Sequence, residues 1–149
     1  VARSTDSPLA RFAASRSYVV VCPALSDANQ AGMGISLAYG ASCVIERFPA
    51  ADTVVIALAD MPWVRPATVA MLVTRSQTLD AIVQPAYNGD KGHPVVFPAR
   101  YLSELAACSA DVGAKHILRA HASNVLALDV DDAGVIRDVD VPEDINPTR

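Results

Sequence analysis

A chain of 149 residues has the length of one domain and enough material to bury a substantial core, and 52% apolar with 19% charged residues exclude a disordered tail. Twelve basic against sixteen acidic residues leave a net charge of −4 without a basic cluster, which argues against a nucleic-acid polymer or an anionic membrane as partner and leaves a small anionic substrate open. The apolar runs are too short for a transmembrane helix, and Cys22, Cys43 and Cys108, odd in number and embedded in apolar surroundings, read as reduced core residues of a cytoplasmic protein rather than as zinc ligands or a disulfide framework.

In chain order, "VARSTDSPLARF" lacks the apolar core of a signal peptide and leads through loop and helix to "YVVVC" (18–22), a short strand. "ALSDANQAG" is a loop, and "MGISLAYGASCVIERF" (33–48) carries apolar residues at helical spacing. "TVVIALA" (53–59) is continuously apolar and β-branched, the pattern of a strand buried on both faces in a parallel sheet. "RPATVAMLVTRS" opens with a proline suited to a first helical turn. "AIVQPAY" and "HPVVFP" are strands split by the turn formers "NGDKG". Two amphipathic helices, "ARYLSELAACS" and "VGAKHILRAHA", precede a strand "NVLALDV", a turn "DAG", a second strand "VIRDVD" and a short helix opened by "VPEDI". The alternation predicts an α/β fold, a three-layer α/β/α sandwich on a Rossmann-like, mostly parallel but mixed sheet.

Five features could carry chemistry. Asp60 follows the apolar run, and Pro62 two residues later fixes its own φ and restricts Met61, holding the turn open. Ligands of open α/β sheets bind beyond the carboxyl ends of strands, so Asp60 reads either as a ligand of a hard cation such as Mg²⁺ or as a cap of the next helix. Asp140 repeats the arrangement, with Pro142 two residues on; Asp138 shares its face on an extended chain, while Glu143 and Asp144 suit a helix first turn. Gly32, Gly34 and Ser36 allow a backbone to approach a ligand near a helix N-terminus, yet the third glycine of a dinucleotide fingerprint is missing and a plain loop-to-helix junction fits as well. Lys91 could neutralise a phosphate, and His93 could bind substrate or cap the loop. Asp111 sits at a helix-capping position, with Lys115 and Arg119 one turn apart on a solvated face.

The ordered set "GMGISLAYG", "VVIALADMPWVRPATV", "QPAYNGDKGHPVVF", "DVGAKHIL" and "DVDVPEDI" resembles the MobA-like nucleotidyltransferases from about residue 18 onward, closest to the branch that attaches cytidylate or guanylate to molybdopterin. The resemblance implies a fold of the nucleotide-diphospho-sugar transferase type. It also implies Mg²⁺ held by Asp60 and Asp140, with Gly34, Ser36, Asp60 and Pro62 along the nucleotide and Gly92, His93, Pro94, Asp111 and Gly113 facing the acceptor. The implied reaction moves a nucleoside monophosphate from CTP or GTP to molybdopterin and releases pyrophosphate, in the cytoplasm, with a molybdoenzyme or chaperone as protein partner. The family's opening strand, glycine-rich triphosphate loop, helix and second strand would need at least ~30 residues before Val1, and that loop is absent from this sequence. The expectation is therefore one MobA-like domain over 1–149 lacking that segment. Two alternatives stand beside it: a sugar-phosphate nucleotidyltransferase, and a truncated non-catalytic module that binds a cofactor or partner.

Overall fold

The computed structural model describes residues 8–16, 32–109 and 113–145. They divide into two compact units, one drawn from Val1–Ala51 and Arg100–Ala120, the other from Asp52–Ala99 and His121–Arg149. The expected strand at 18–22 lies outside the described residues, as does Asp111.

The first unit is helical among its described residues. It contains α1 (Pro8–Ser15), α2 (Met33–Arg47), α4 (Leu102–Ala106) and α5 (Lys115–Ala120). Helix α2 packs on α4, and Ala41, Leu102 and Leu105 are buried. Lys115 and Arg119 stay on the exposed face of α5 while Ile117 is fully buried, the amphipathic division the sequence predicts.

The second unit holds the sheet: β1 (Thr53–Ile56), β2 (Ile82–Tyr87), β3 (Asp90–Lys91), β4 (Val95–Pro98) and β5 (Val125–Asp129), with helix α3 (Pro66–Leu79). Strand β4 lies antiparallel between β1 and β2, and β5 joins the other side of β2 in parallel. Strands β1, β2 and β5 therefore run one way and β4 the other, a mixed α/β sheet as expected. Asn88 and Gly89, both at positive φ (51° and 90°), form the two-residue turn between β2 and β3, which suits the right-handed twist of a hairpin.

Helix α3 begins at Pro66, which lacks only a donor that a first turn leaves unused. Its Thr68, Leu72 and Ser76 form one buried stripe. Leu72, Val83 and Val96, all 0% exposed, make a core cluster with Val73, Leu126 and Leu128 packed against it. The helix stops at Asp80, in the left-handed region at φ 48°, and Ser76 Oγ donates to the Ala81 carbonyl at 2.8 Å.

Two sequence expectations need correction. The apolar run at 53–59 forms a strand only as far as Ile56 and pairs antiparallel with β4, leaving Val55 40% exposed; among the described residues β1 has no second neighbour to bury it. The expected strand at 135–140 is a 3₁₀ turn (Ala133–Ile136) followed by irregular chain. The segment pairs with a loop rather than a strand, so Asp140 does not end a strand.

Candidate functional site

Asp60 lies four residues beyond β1, in a turn leading to α3, and its side chain is exposed. Asp140 is also exposed, on the segment after β5. The Val139 N–H donates to the Asp60 carbonyl at 2.8 Å, so the two acid-bearing segments run side by side. Among the described residues neither carboxylate has a hydrogen bond or an ion pair. The Asp144 carboxylate, by contrast, accepts from the Asp140 and Val141 N–H groups, both at 3.1 Å, and so shapes the turn that presents Asp140. Glu143 and Asp144 occupy a short 3₁₀ helix (Pro142–Ile145), where the sequence places a short helix with acids in its first turn.

What holds these segments together was not legible in the sequence, where "DAG" reads as a turn. Asp132 is 5% exposed, and its Oδ2 accepts from Thr68 Oγ1 at 2.6 Å and from the Arg65 N–H at 3.0 Å. Its Oδ1 accepts from the Gly134 N–H at 3.1 Å and lies 3.5 Å from Arg65 Nε. Burial pushes this carboxyl up, but the Thr68 hydroxyl, the Arg65 and Gly134 amides and the Arg65 charge outweigh burial and hold it below the usual carboxylate range. Gly134 presses on the backbone of Trp63 and Val64, where a Cβ would collide with the Trp63 carbonyl. The Arg137 guanidinium stacks 4.8 Å from the Trp63 ring centroid and donates to the Asp144 carbonyl at 3.1 Å. Residue 132 thus meets 65 and 68, residue 134 meets 63 and 64, residue 137 meets 63 and residue 139 meets 60, so the two segments run in opposite directions. An aspartate followed two residues later by glycine, with a threonine in the first turn of a helix, is the sequence signal, though a weak one.

The same segment seats the loop of Gly92, His93 and Pro94. The His93 N–H donates to the Val135 carbonyl at 2.8 Å, and the Gly92 N–H to the Pro85 carbonyl at 2.8 Å. A Cβ at Gly92 would collide with the Val135 carbonyl, so this position requires glycine. Gly92 and Pro94 are buried and Lys91 is exposed.

The second unit therefore holds Asp60, Pro62, Gly92, His93, Pro94 and Asp140 on loops tied to one another. Gly34, Ser36 and Gly113 belong to the first unit. Gly34 is buried in the first turn of α2, not in a loop, and the Ser36 N–H donates to the Gly32 carbonyl at 3.2 Å. Gly113, at φ 53°, offers its carbonyl to His116 Nδ1 at 2.8 Å, and a Cβ there would lie 3.7 Å from Met33 Sδ. Cys43 and Cys108 are free thiols; Cys108 is buried, and desolvation raises its pKa.

The Rv0371c homologue from Mycobacterium sp. strain JC1 is 24% identical, with a TM-score of 0.60 over 72% of this chain and 53% of its own. Rv0371c from Mycobacterium tuberculosis H37Rv is 28% identical, with a TM-score of 0.62 over 79% of this chain and 58% of its own. A complex of Rv0371c with manganese superimposes at a TM-score of 0.60 and 23% identity, over 89% of this chain and 70% of its own. The chain thus spans little more than half the length of the first two of these structures. No curated protein matches. No described helix is long and apolar enough to cross a membrane. The MobA-like NTP transferase domain matches residues 2–125, which takes in the turn at Asp60, the loop at 92–94 and most of both units. This chain belongs to the MobA-like NTP transferase domain family.

Proposed function

We propose that this chain is the catalytic domain of a divalent-metal-dependent nucleotidyltransferase that moves a nucleoside monophosphate from CTP or GTP to molybdopterin and releases pyrophosphate. The observation that carries the reading is the 2.8 Å hydrogen bond from Val139 to the Asp60 carbonyl, which brings two uncommitted carboxylates onto adjoining loops. Asp60 and Asp140 would hold the ion. Among the described residues no group of three or more His, Cys, Asp or Glu could hold a metal. Two exposed carboxylates without protein partners among the described residues would suit a hard cation that takes one or two of them and completes its shell with water and substrate phosphates. That is the behaviour of Mg²⁺, and Rv0371c has been crystallised with manganese, an ion of similar oxygen preference.

When bound, the metal neutralises charge on the phosphates and the pyrophosphate leaving group. Within the second unit, Pro62 would line the nucleotide, and Gly92, His93 and Pro94 would face the acceptor. A phosphate oxygen of the acceptor attacks the α-phosphorus, the α–β anhydride bond breaks, and pyrophosphate departs with that electron pair. The chain needs no covalent nucleophile; its residues orient the reactants and supply fixed electrostatics. A cytoplasmic location and delivery to a molybdoenzyme or chaperone belong to the same reading.

The test is pyrophosphate release by the protein from CTP or GTP with molybdopterin and Mg²⁺ or Mn²⁺. Asp60→Ala should lower turnover about a hundred-fold or more, with the melting temperature nearly unchanged. Full turnover in that variant, or turnover without a divalent ion, would remove the metal role; turnover only with a sugar phosphate would redirect the acceptor.

A further inference from the structure

We infer that Asp132, which touches neither of the proposed metal ligands, is the positioning residue that sets the geometry of the Asp60–Asp140 pair. The inference rests on the metal reading above. Four ties join residues 132–139 to residues 60–68, but only one of them uses a buried side chain with several polar bonds. Val139 contributes a single backbone hydrogen bond, Arg137 a stack on an exposed face, and Gly134 a close approach without directional bonding. Asp132 fixes three donors at once: the backbone amide before α3, a hydroxyl in its first turn, and the amide opening the 3₁₀ turn. A carboxylate is required because each oxygen accepts from a different segment. Oδ2 faces Arg65 and Thr68, and Oδ1 faces Gly134 and the Arg65 guanidinium.

The chain from Arg65 back to Asp60 is short, and so is the chain from Gly134 on to Asp140. Anchoring the 65 and 134 ends therefore fixes how far apart the two rim carboxylates can swing. A cation bridging two carboxylates is sensitive to that span, since its oxygen distances vary by only tenths of an ångström. Groups that orient ligands without touching the metal commonly cost ten- to a hundred-fold in affinity when altered.

The experiment measures Mn²⁺ affinity directly, by the electron paramagnetic resonance signal of the free ion, in the wild-type protein and in Asp60→Asn, Asp132→Asn and Thr68→Val. Asp132→Asn preserves shape but turns one acceptor oxygen into a donor facing amides. Its Mn²⁺ dissociation constant should rise about ten-fold or more in protein that circular dichroism shows to be folded. Thr68→Val removes only the 2.6 Å bond and should weaken Mn²⁺ about three-fold, a smaller change of the same sign. It carries the test if Asp132→Asn does not fold. Saturating Mn²⁺ should restore turnover in either variant, which a general loss of structure would not allow. Unchanged affinity in folded Asp132→Asn, alongside loss of binding in Asp60→Asn, overturns the positioning role and spares the metal reading. Unchanged affinity in Asp60→Asn overturns the metal reading and this inference with it.

Discussion

Asp132 and Asp140 lie on one segment of the second unit, yet their surroundings are opposite. Asp132 is 5% exposed and its two oxygens accept from a hydroxyl and two amides, whereas Asp140 is exposed with a carboxylate that meets no polar partner among the described residues. The buried acid spends its hydrogen-bonding capacity on the fold; the exposed acids at 60 and 140 keep theirs. A buried carboxylate must be satisfied internally, while an exposed one is hydrated and can exchange that water for a cation. Loss of a rim acid should therefore remove binding at little cost in stability, whereas a change at the buried acid should cost stability and reach binding only through the geometry of the rim.

Along the segment that carries Asp132 and Asp140, the largest expected effect on stability is at Gly134. Gly134→Ala drives a methyl group into the Trp63 carbonyl and should cost about 2–3 kcal/mol, read from chemical denaturation. Asp140→Ala, on the same segment, should change stability by no more than about 0.5 kcal/mol while removing divalent-ion binding. If Asp140→Ala proves as destabilising as Gly134→Ala, the division between rim and clamp fails.

Acid pH sharpens the same contrast. The folded pKa of Asp132 lies below the ordinary carboxylate value, so the unfolded chain binds the proton more readily. Its contribution is fully present above the unfolded pKa of about 4 and is lost as pH falls through the folded value. Wild-type protein should lose stability on acidification through that window, and Asp132→Asn should lose less over the same range despite starting lower. Parallel pH profiles for the two would show that Asp132 is not held ionised by its neighbours.

The sequence revealed the parts of this molecule whose causes are local. Pro66 marks the start of α3, the Asn88-Gly89 pair marks the β2–β3 turn, and the alternation of Lys115, Ile117 and Arg119 marks the exposed and buried faces of α5. Asp60 and Asp140 share an acid with a proline two residues on, a likeness the sequence displays, and the Val139 N–H to Asp60 carbonyl bond sets their segments side by side. The clamp was not, because Asp132 meets Arg65 and Thr68 across 67 and 64 residues, and nothing in "DDAG" announces a partner that distant. The same non-local pairing explains the error at 135–140. The β-branched residues Val135, Ile136 and Val139 suit a strand, but the segment lies along the 60–65 turn, which offers one backbone bond and a stacking surface instead of a ladder.

The smallest expected effect tests how the rim is presented. Asp144 accepts from the Asp140 and Val141 N–H groups at 3.1 Å, bending the chain just after the proposed ligand. Asp144→Ala leaves both amides to water and should cost about 1 kcal/mol, as the loss of a capping acceptor does. Asp144→Asn keeps an acceptor oxygen and should recover most of that loss. Because the bond to Asp140 is made through its backbone, the variant should also let its carboxylate wander, weakening Mn²⁺ about two- to three-fold. A loss of affinity in Asp144→Ala that Asp144→Asn restores would assign Asp144 to orientation. Equal loss in both variants would mean that its charge, and not its hydrogen bonds, acts on the ion; Asp144 would then join the rim acids.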